Sequence, residues 1–593
     1  MSEKVLKRSE QLEENTWKLE DIYENERIFD DEFQNLNRLL EEFIDLKGTL
    51  KNGVDSLVKA LKLYESISYY FARLYVYANQ RYHQDTSNSK YQRMSGQTQL
   101  MAARLGQYTS WFEPEILELE NINLNDDKLK EYKRFLELIL KEKEHVLDAK
   151  TEELLAKASD LGQAADNIYS MFNNADIKFP NVFDQDGNEH VLTQGTYISY
   201  MESKDRVLRK NAFESLYSVY KQFNNTLAAT YYANAKAIDF FAKEHKYKSA
   251  FEQELTQNEI PLEVYDNLIF AIHSNLEPMY KYVSLRKKIL GVDSLHMYDV
   301  YTSLAKDIDT KYTFEQAKEI VKEGLQPLGQ DYLDILQEGF DNRWIDVYEN
   351  EGKRTGAYSW GCYGCHPYVL LNYHDSLDNV FTLAHEMGHA IHTYYSNKNQ
   401  NVLNSEYRIF VAEVASTCNE SLLIHHLMNK TKDKQEKLYL INYFLDQFKG
   451  TMYRQTMFAE FERLTHGYVE KGEVLTGDLL NETYMELNER YFGKDMISDD
   501  EIQYEWSRIP HFYTPFYVYQ YATSFAAAIA ISTKILKGEE GIVEKYKQFL
   551  SGGCSQTPID LLKICGVDMS TSQPIEDALK VFSEYVDELE KLV

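Results

Sequence analysis

The sequence predicts a mostly α-helical protein, and three observations predict it. Apolar residues recur at helical spacing along most of the chain. Only 10 prolines occur in 593 residues, and proline breaks helix interiors. The period changes clearly at only two places, 177–192 and 368–373, with a Gly-rich stretch ahead of the second.

From Glu10 to about Ser170 the chain reads as consecutive helices. Phe33, Leu36, Leu39, Leu40 and Phe43 mark one helical face, and Leu57, Ala60, Leu61, Tyr64, Ile67 and Tyr70 mark another. Polar breaks such as Asn121–Asp126 separate them. Between Ile177 and Leu192, the run Asp184-Gln-Asp-Gly-Asn188 between apolar stretches predicts a β-hairpin. Asp184 and Asp186 lack the later glutamate that a calcium loop of the EF-hand type needs, so a plain turn is expected. Helices resume near Thr196 and run to about Gly339. Arg343–His366 is irregular and Gly-rich, and Tyr368–Tyr373 reads as one compact strand. Helices then continue almost to the end, broken at Ser551-Gly-Gly553.

Composition narrows the function. The net charge of −30 argues against a nucleic-acid partner, because phosphate binding needs clustered Lys and Arg. No run approaches the length of a membrane span, and the longest candidate, Phe525–Ile531, is too short. Met1–Asp30 carries no apolar leader segment. Five cysteines, an odd count, fit a reducing compartment. A cytoplasmic protein without membrane or nucleic-acid partners is the expectation. The 46 tyrosines read mainly as core and helix-packing residues.

The chemistry concentrates at His385-Glu386-Met387-Gly388-His389. Residues 375–378 offer helix N-caps, and Val380, Phe381, Ala384, Met387, Gly388 and Ile391 give the following helix an apolar face. His385 and His389 lie one turn apart on one face, so both imidazoles can reach one ion. Glu386 lies about 100° round the helix, beside the metal rather than on it, where it can take a proton from an attacking water. Gly388 inside a helix costs about 1 kcal/mol relative to alanine, which suggests a close neighbour. A catalytic zinc needs a third protein ligand. Glu406, Glu413 and Glu420 follow at seven-residue intervals on what reads as one helix face, and spacing does not choose among them. The apolar and small neighbours of Glu413 suggest that its carboxylate is buried and therefore paired or metal-bound.

The stretch His366–His392, with HExGHxxH met by His385, Glu386, Gly388, His389 and His392, closely resembles oligoendopeptidase F within the thimet oligopeptidase family of metallopeptidases. Glu413 with Ser416 matches the family's Glu-x-x-Ser/Thr stretch, and Glu420 matches a further glutamate. His511–Ala522 resembles the family's His-then-Tyr segment, which contacts the substrate carbonyl at the transition state. The resemblance covers nearly the whole chain and is specific in about its last 250 residues. It implies a two-lobed, mostly helical body enclosing a deep substrate channel, with a small β-sheet beside the HExxH helix. It implies one zinc per chain on His385, His389 and Glu413, with Glu420 and His392 in support. Glu386 is then the general base, and His511, Tyr517 and Tyr521 are the oxyanion donors, with Tyr513 and Tyr519 as rival registers. An extended peptide is expected to pair with the strand edge at Val369, Leu370, Leu371, Asn372 and Tyr373.

The expected organisation is an N-terminal helical domain, 1–195, ending in the hairpin, and a catalytic domain, 196–593. The expected function is zinc-dependent endopeptidase action on short unfolded oligopeptides. Two rivals follow from the same residues. A carboxypeptidase or dipeptidase would need a cation for the free carboxylate, and Arg508 could supply it. A non-catalytic peptide binder would have no need of Glu386. Cys362-Tyr-Gly-Cys365 reads as incidental reduced thiols, since no second pair completes a zinc site. Cys418, Cys554 and Cys565 read as small buried residues.

Overall fold

A computed structural model describes residues 5–593 apart from Asn121 and residues 306–309. The first four residues of the stretch read for a leader, and the first residue of the Asn121–Asp126 break, thus lie outside the described residues. The protein is mostly helical, with seven short strands among the described residues: β1 Val182–Phe183, β2 Glu189–His190, β3 Leu295–His296, β4 Ile345–Asp346, β5 Tyr358–Trp360, β6 Tyr368–Leu370 and β7 Met496–Ile497. No helix among the described residues is long and apolar enough to cross a membrane. The chain forms two compact units, each built from three segments. The 195/196 boundary expected from the sequence falls inside one of them.

Unit 1 comprises Met1–Glu144, Thr310–His426 and Ile531–Gly566. Its helix Glu26–Ile44 starts where the Asn25 side chain accepts from the backbone N–H groups of Arg27 and Ile28. It buries Phe29, Leu36, Leu39, Leu40 and Phe43, the face that the spacing marks. That face joins Leu57, Leu61, Ile67 and Tyr77 of the 31-residue helix Val54–Gln84. The unit's sheet has the order β4-β6-β5, with β6 parallel to β4 and antiparallel to β5. Beneath it, the fully buried Asp346 carboxylate pairs with Lys353 at 2.7 Å and with Arg8 at 2.5 Å. A buried charge survives only with such partners, and the pairing ties the N-terminal segment to the sheet.

Unit 2 comprises His145–Asp309, Leu427–Ala530 and Val567–Val593. The 184–188 turn is a hairpin turn, as the sequence predicts. The Asp184 carboxylate accepts from the backbone of Asp186 and Asn188 and from the Asn188 and His190 side chains, which leaves no calcium-loop geometry. β3 pairs in parallel with β7. Two of its core tyrosines bond through their hydroxyls: Tyr265 donates to the Ala459 carbonyl at 2.7 Å, and Tyr231 meets Thr465 at 2.8 Å.

Candidate metal centre

Two helices of unit 1 build the centre. The first, Leu377–Asn399, is capped by Ser376, whose hydroxyl accepts from the Asn379 N–H. The second, Ile409–Lys430, carries the glutamates. Gly388 explains how closely the two approach. A Cβ there would lie 2.6 Å from Ser416 Cα and 2.8 Å from the Ala415 carbonyl oxygen, so only glycine permits the contact. Asn419 pins the same contact by donating to the Ala384 carbonyl at 3.1 Å, and Tyr332 donates to Asn419 in turn.

This contact delivers three ligand atoms to one point. His385 Nε2 and His389 Nε2 are 3.2 Å apart, and Glu413 Oε2 lies 3.3 Å from the first and 3.5 Å from the second. Ligand atoms at ordinary zinc distances and tetrahedral angles would stand about 3.3–3.5 Å apart. The triangle therefore fits zinc without adjustment, and two imidazoles plus one carboxylate suit zinc better than magnesium or calcium, which take oxygen ligands. Among the described residues this is the one group of three or more His, Cys, Asp and Glu side chains close enough to share an ion. The Glu413 side chain is half-buried, 32% exposed, rather than buried as its apolar neighbours suggest. It lies on the open side of the contact.

Two of the three ligands are held by neighbours. Glu420 Oε1 lies 3.2 Å from His385 Nδ1, which fixes that ring with Nε2 forward. Ser416 donates to Glu413 Oε2 at 3.1 Å, which gives the serine of the Glu-x-x-Ser pattern a physical role. Glu406 is not on this helix. It is exposed and precedes the first turn, so the seven-residue spacing does not carry it to the centre. His392 is buried and stacked on Tyr407 at 3.7 Å, and no hydrogen bond from it to a ligand residue is found among the described residues. Burial pushes the His392 imidazole down to about 3, so the ring is neutral.

Glu386 is 7% exposed, and its Oε2 has no hydrogen-bond partner among the described residues. Burial raises its carboxyl above the ordinary range, against the pull of His389 and His385. A buried carboxylate oxygen without a partner is rare in a folded protein.

The sheet revises the substrate-edge expectation. β6 is the central strand, so Val369 and Leu370 already have neighbours on both sides. The Leu371 and Tyr373 N–H groups donate to Asp346 and Val347. The outer side of β4 is taken by the N-terminal segment, through Val347 N–H to Asn15 and Lys18 N–H to Arg343. β5 is left as the end strand. Asn372 donates to the carbonyls of Arg354 and Gly356 and so shapes the lead into β5. The Tyr373 hydroxyl is spent on the Tyr312 carbonyl.

In unit 2, His511, Tyr517 and Tyr521 form one cluster. Tyr517 stacks parallel to His511 at 6.0 Å, and Tyr521 meets both rings edge-on. The rival rings are engaged elsewhere: Tyr513 stacks on Tyr169 at 4.2 Å, and Tyr519 is 1% exposed against Tyr265. Arg508 lies 3.5 Å from Glu505 and over the Tyr197 ring, and shares that carboxylate with Arg454. Cys362 is buried and Cys365 half-buried, and burial pushes the Cys362 thiol up to about 12.

Sequence models of known families match this chain in two places: peptidase family M3 over residues 199–581 and oligopeptidase F over residues 118–179. Oligopeptidase PepF of Bacillus subtilis is 47% identical over 591 residues, covering 99% of this chain and 88% of its own. The crystal structure of oligoendopeptidase-F from Enterococcus faecium superposes with a TM-score of 0.75 at 36% identity, covering 96% of this chain and 99% of the other. A solved peptidase structure from Chlamydophila abortus reaches a TM-score of 0.93 at 34% identity and covers 100% of both chains.

Proposed function

The chain belongs to peptidase family M3 and is a metalloendopeptidase, and from that premise we propose that it is a zinc enzyme that hydrolyses short, unfolded oligopeptides with Glu386 as its base. The observation that carries this reading is the ligand triangle of His385, His389 and Glu413 with the unpartnered Glu386 oxygen beside it. Zinc bound there would supply Lewis acidity to the attacking water and to the scissile carbonyl.

The chain's own residues do the rest. The Glu386 carboxylate takes the proton of the attacking water and passes it to the leaving nitrogen. Its burial raises its basicity. Glu420 keeps His385 in the tautomer that presents Nε2, and Ser416 keeps Glu413 aimed. His511, Tyr517 and Tyr521 take the role that the family resemblance gives them, donors to the developing oxyanion. β5 is the strand edge to which an extended peptide would add, held by its backbone and so with loose side-chain selectivity.

The test is hydrolysis of a quenched fluorescent peptide with metal analysis of the same sample. The expected result is one zinc per chain, turnover abolished by a chelator, and turnover restored by zinc. Product masses from a peptide blocked at both ends separate internal cleavage from removal of terminal residues. Turnover that survives complete removal of metal would sink the mechanism.

A further inference from the structure

Glu462 sits on the helix Gln455–Glu470 of unit 2 and is wholly buried, at 0% exposure. No cation pairs with it among the described residues. One oxygen, Oε1, accepts the backbone N–H of Phe516 at 2.7 Å, and the other has no partner. Burial holds the carboxyl well above its ordinary range, so the group is a neutral acid. A buried acid with one hydrogen bond and no counter-charge is a poor choice for packing alone.

Its partner is unusual as well. Phe516 has φ +50°, in the left-handed region that bulky residues rarely adopt. The ring is clamped by Phe251 at 5.2 Å, Tyr265 at 5.9 Å and His466 at 4.9 Å. Residue 516 lies after the short turn Pro510–Tyr513 and before the helix Tyr519–Leu536, so its N–H has no place in either. The Glu462 carboxyl supplies the acceptor that the kinked backbone lacks. Tyr517 follows at once, and the kink sets the direction in which it meets His511 and Tyr521. Strained backbone that the surroundings over-determine clusters at functional sites.

We propose that Glu462 is a positioning residue of the peptidase reaction: its carboxyl holds the Phe516 N–H, fixes the left-handed kink, and so sets the register of Tyr517 and Tyr521 against His511. The proposal rests on the reading of that cluster as oxyanion donors. It requires an acceptor at position 462, not a charge.

Glu462→Gln keeps the acceptor, and its kcat should stay within about threefold of the parent. Glu462→Leu fills the space without an acceptor. Its kcat should fall about 10²-fold, the effect of a misplaced catalytic group, with KM changed less than about threefold and zinc content unchanged. Tyr517→Phe is made alone and in combination with Glu462→Leu. If Glu462 works through the tyrosine, the double variant is no worse than the poorer single one. Should Glu462→Leu not fold, Glu462→Asp, which withdraws the carboxyl by one methylene, takes its place, and a fall in kcat of about tenfold is expected. A leucine or aspartate variant with parental kcat, or a glutamine variant as poor as the leucine one, overturns the proposal. Parental kcat in both Tyr517→Phe and Tyr521→Phe would instead overturn the donor reading on which it rests.

Discussion

The metal centre of unit 1 and the aromatic cluster of unit 2 are organised on opposite principles. The centre sits on two regular helices: periodicity aligns His385 with His389 and Glu413 with Glu420, and the contact at Gly388 brings the two pairs together. The cluster sits on a short turn, a left-handed kink at Phe516 and the start of a helix. Support for the centre comes from Ser416, three positions from Glu413 on one helix, and from Glu420, which reaches His385 across the helix contact. Support for the cluster comes from Glu462, 54 residues away. Regular structure lets a motif carry its own geometry, whereas irregular structure must be held from outside.

The sharpest way to break this contrast is at the base. Glu386→Gln preserves shape and removes the proton acceptor, so turnover should fall by about 10²–10⁴ or more while zinc is retained. Metal content by atomic emission and turnover on one preparation measure both. Near-parental turnover would remove Glu386 from the mechanism and leave the centre a binding site.

The next largest effects fall on the metal itself. Glu413→Ala should lose zinc on gel filtration, Glu420→Ala should bind it roughly 10–100-fold more weakly, and Glu406→Ala should be indistinguishable from the parent. Acid should act in the same direction. Burial lowers the His385 proton affinity, but Glu420 and Glu413 together outweigh burial and hold that proton above the usual histidine range. Zinc must displace this proton, so affinity should rise as pH rises towards the folded value. In the metal-free protein the sign is opposite. The stability that this raised group contributes is complete below the unfolded pKa, about 6.5, and is lost as pH rises through the folded value. Chelator competition and melting of the metal-free protein, each followed upward in pH from the ordinary histidine value of about 6.5, would show the two trends crossing.

In the cluster, Tyr517→Phe and Tyr521→Phe should each lower kcat by up to about 10²-fold, the scale of one lost oxyanion donor. Tyr513→Phe should change it little, because that ring is committed to Tyr169. A large loss in Tyr513→Phe with none in the other two would move the donor role to the other register.

These outcomes bear on what the sequence could show. The metal motif was legible because four residues make one helical turn, and the resemblance then chose Glu413 from three candidates. Glu406 misled because spacing presumes a helix, and the helix begins only at Ile409. The sequence places the substrate edge on 369–373, within the clear strand run. The pairings that make β6 central come from residues 345–346 and 358–360, too short and too mixed to read as strands. The interleaving of the two units was not legible either, since it depends on contacts between distant segments. Glu462 stands among Phe458, Ala459, Phe461 and Thr465, the same signal of a carboxyl in apolar company that Glu413 carries. The missing part was its partner, a backbone N–H exposed by a kink that no local pattern announces.

The smallest expected effects isolate helix contact from helix propensity. Gly388 and Gly467 both lie inside helices, one in each unit. Alanine in place of glycine favours a helix by about 1 kcal/mol when nothing obstructs the methyl group. At Gly467 nothing lies within 4 Å of the new Cβ, so Gly467→Ala should raise the melting temperature by about 1 °C and leave zinc untouched. At Gly388 the Cβ would meet backbone atoms of Ser416 and Ala415 at 2.6–2.9 Å, and backbone cannot swing aside as a side chain can. The helices would have to part, at about 1–3 kcal/mol for overpacking, which outweighs or cancels the propensity gain. Parting them also draws Glu413 from the histidines, because Ser416 is both the point of contact and the donor to that carboxylate. Gly388→Ala should therefore weaken zinc binding even where its metal-free melting temperature hardly moves. A Gly388→Ala protein with parental zinc affinity would mean that the centre tolerates helix displacement, and that the close contact serves packing alone.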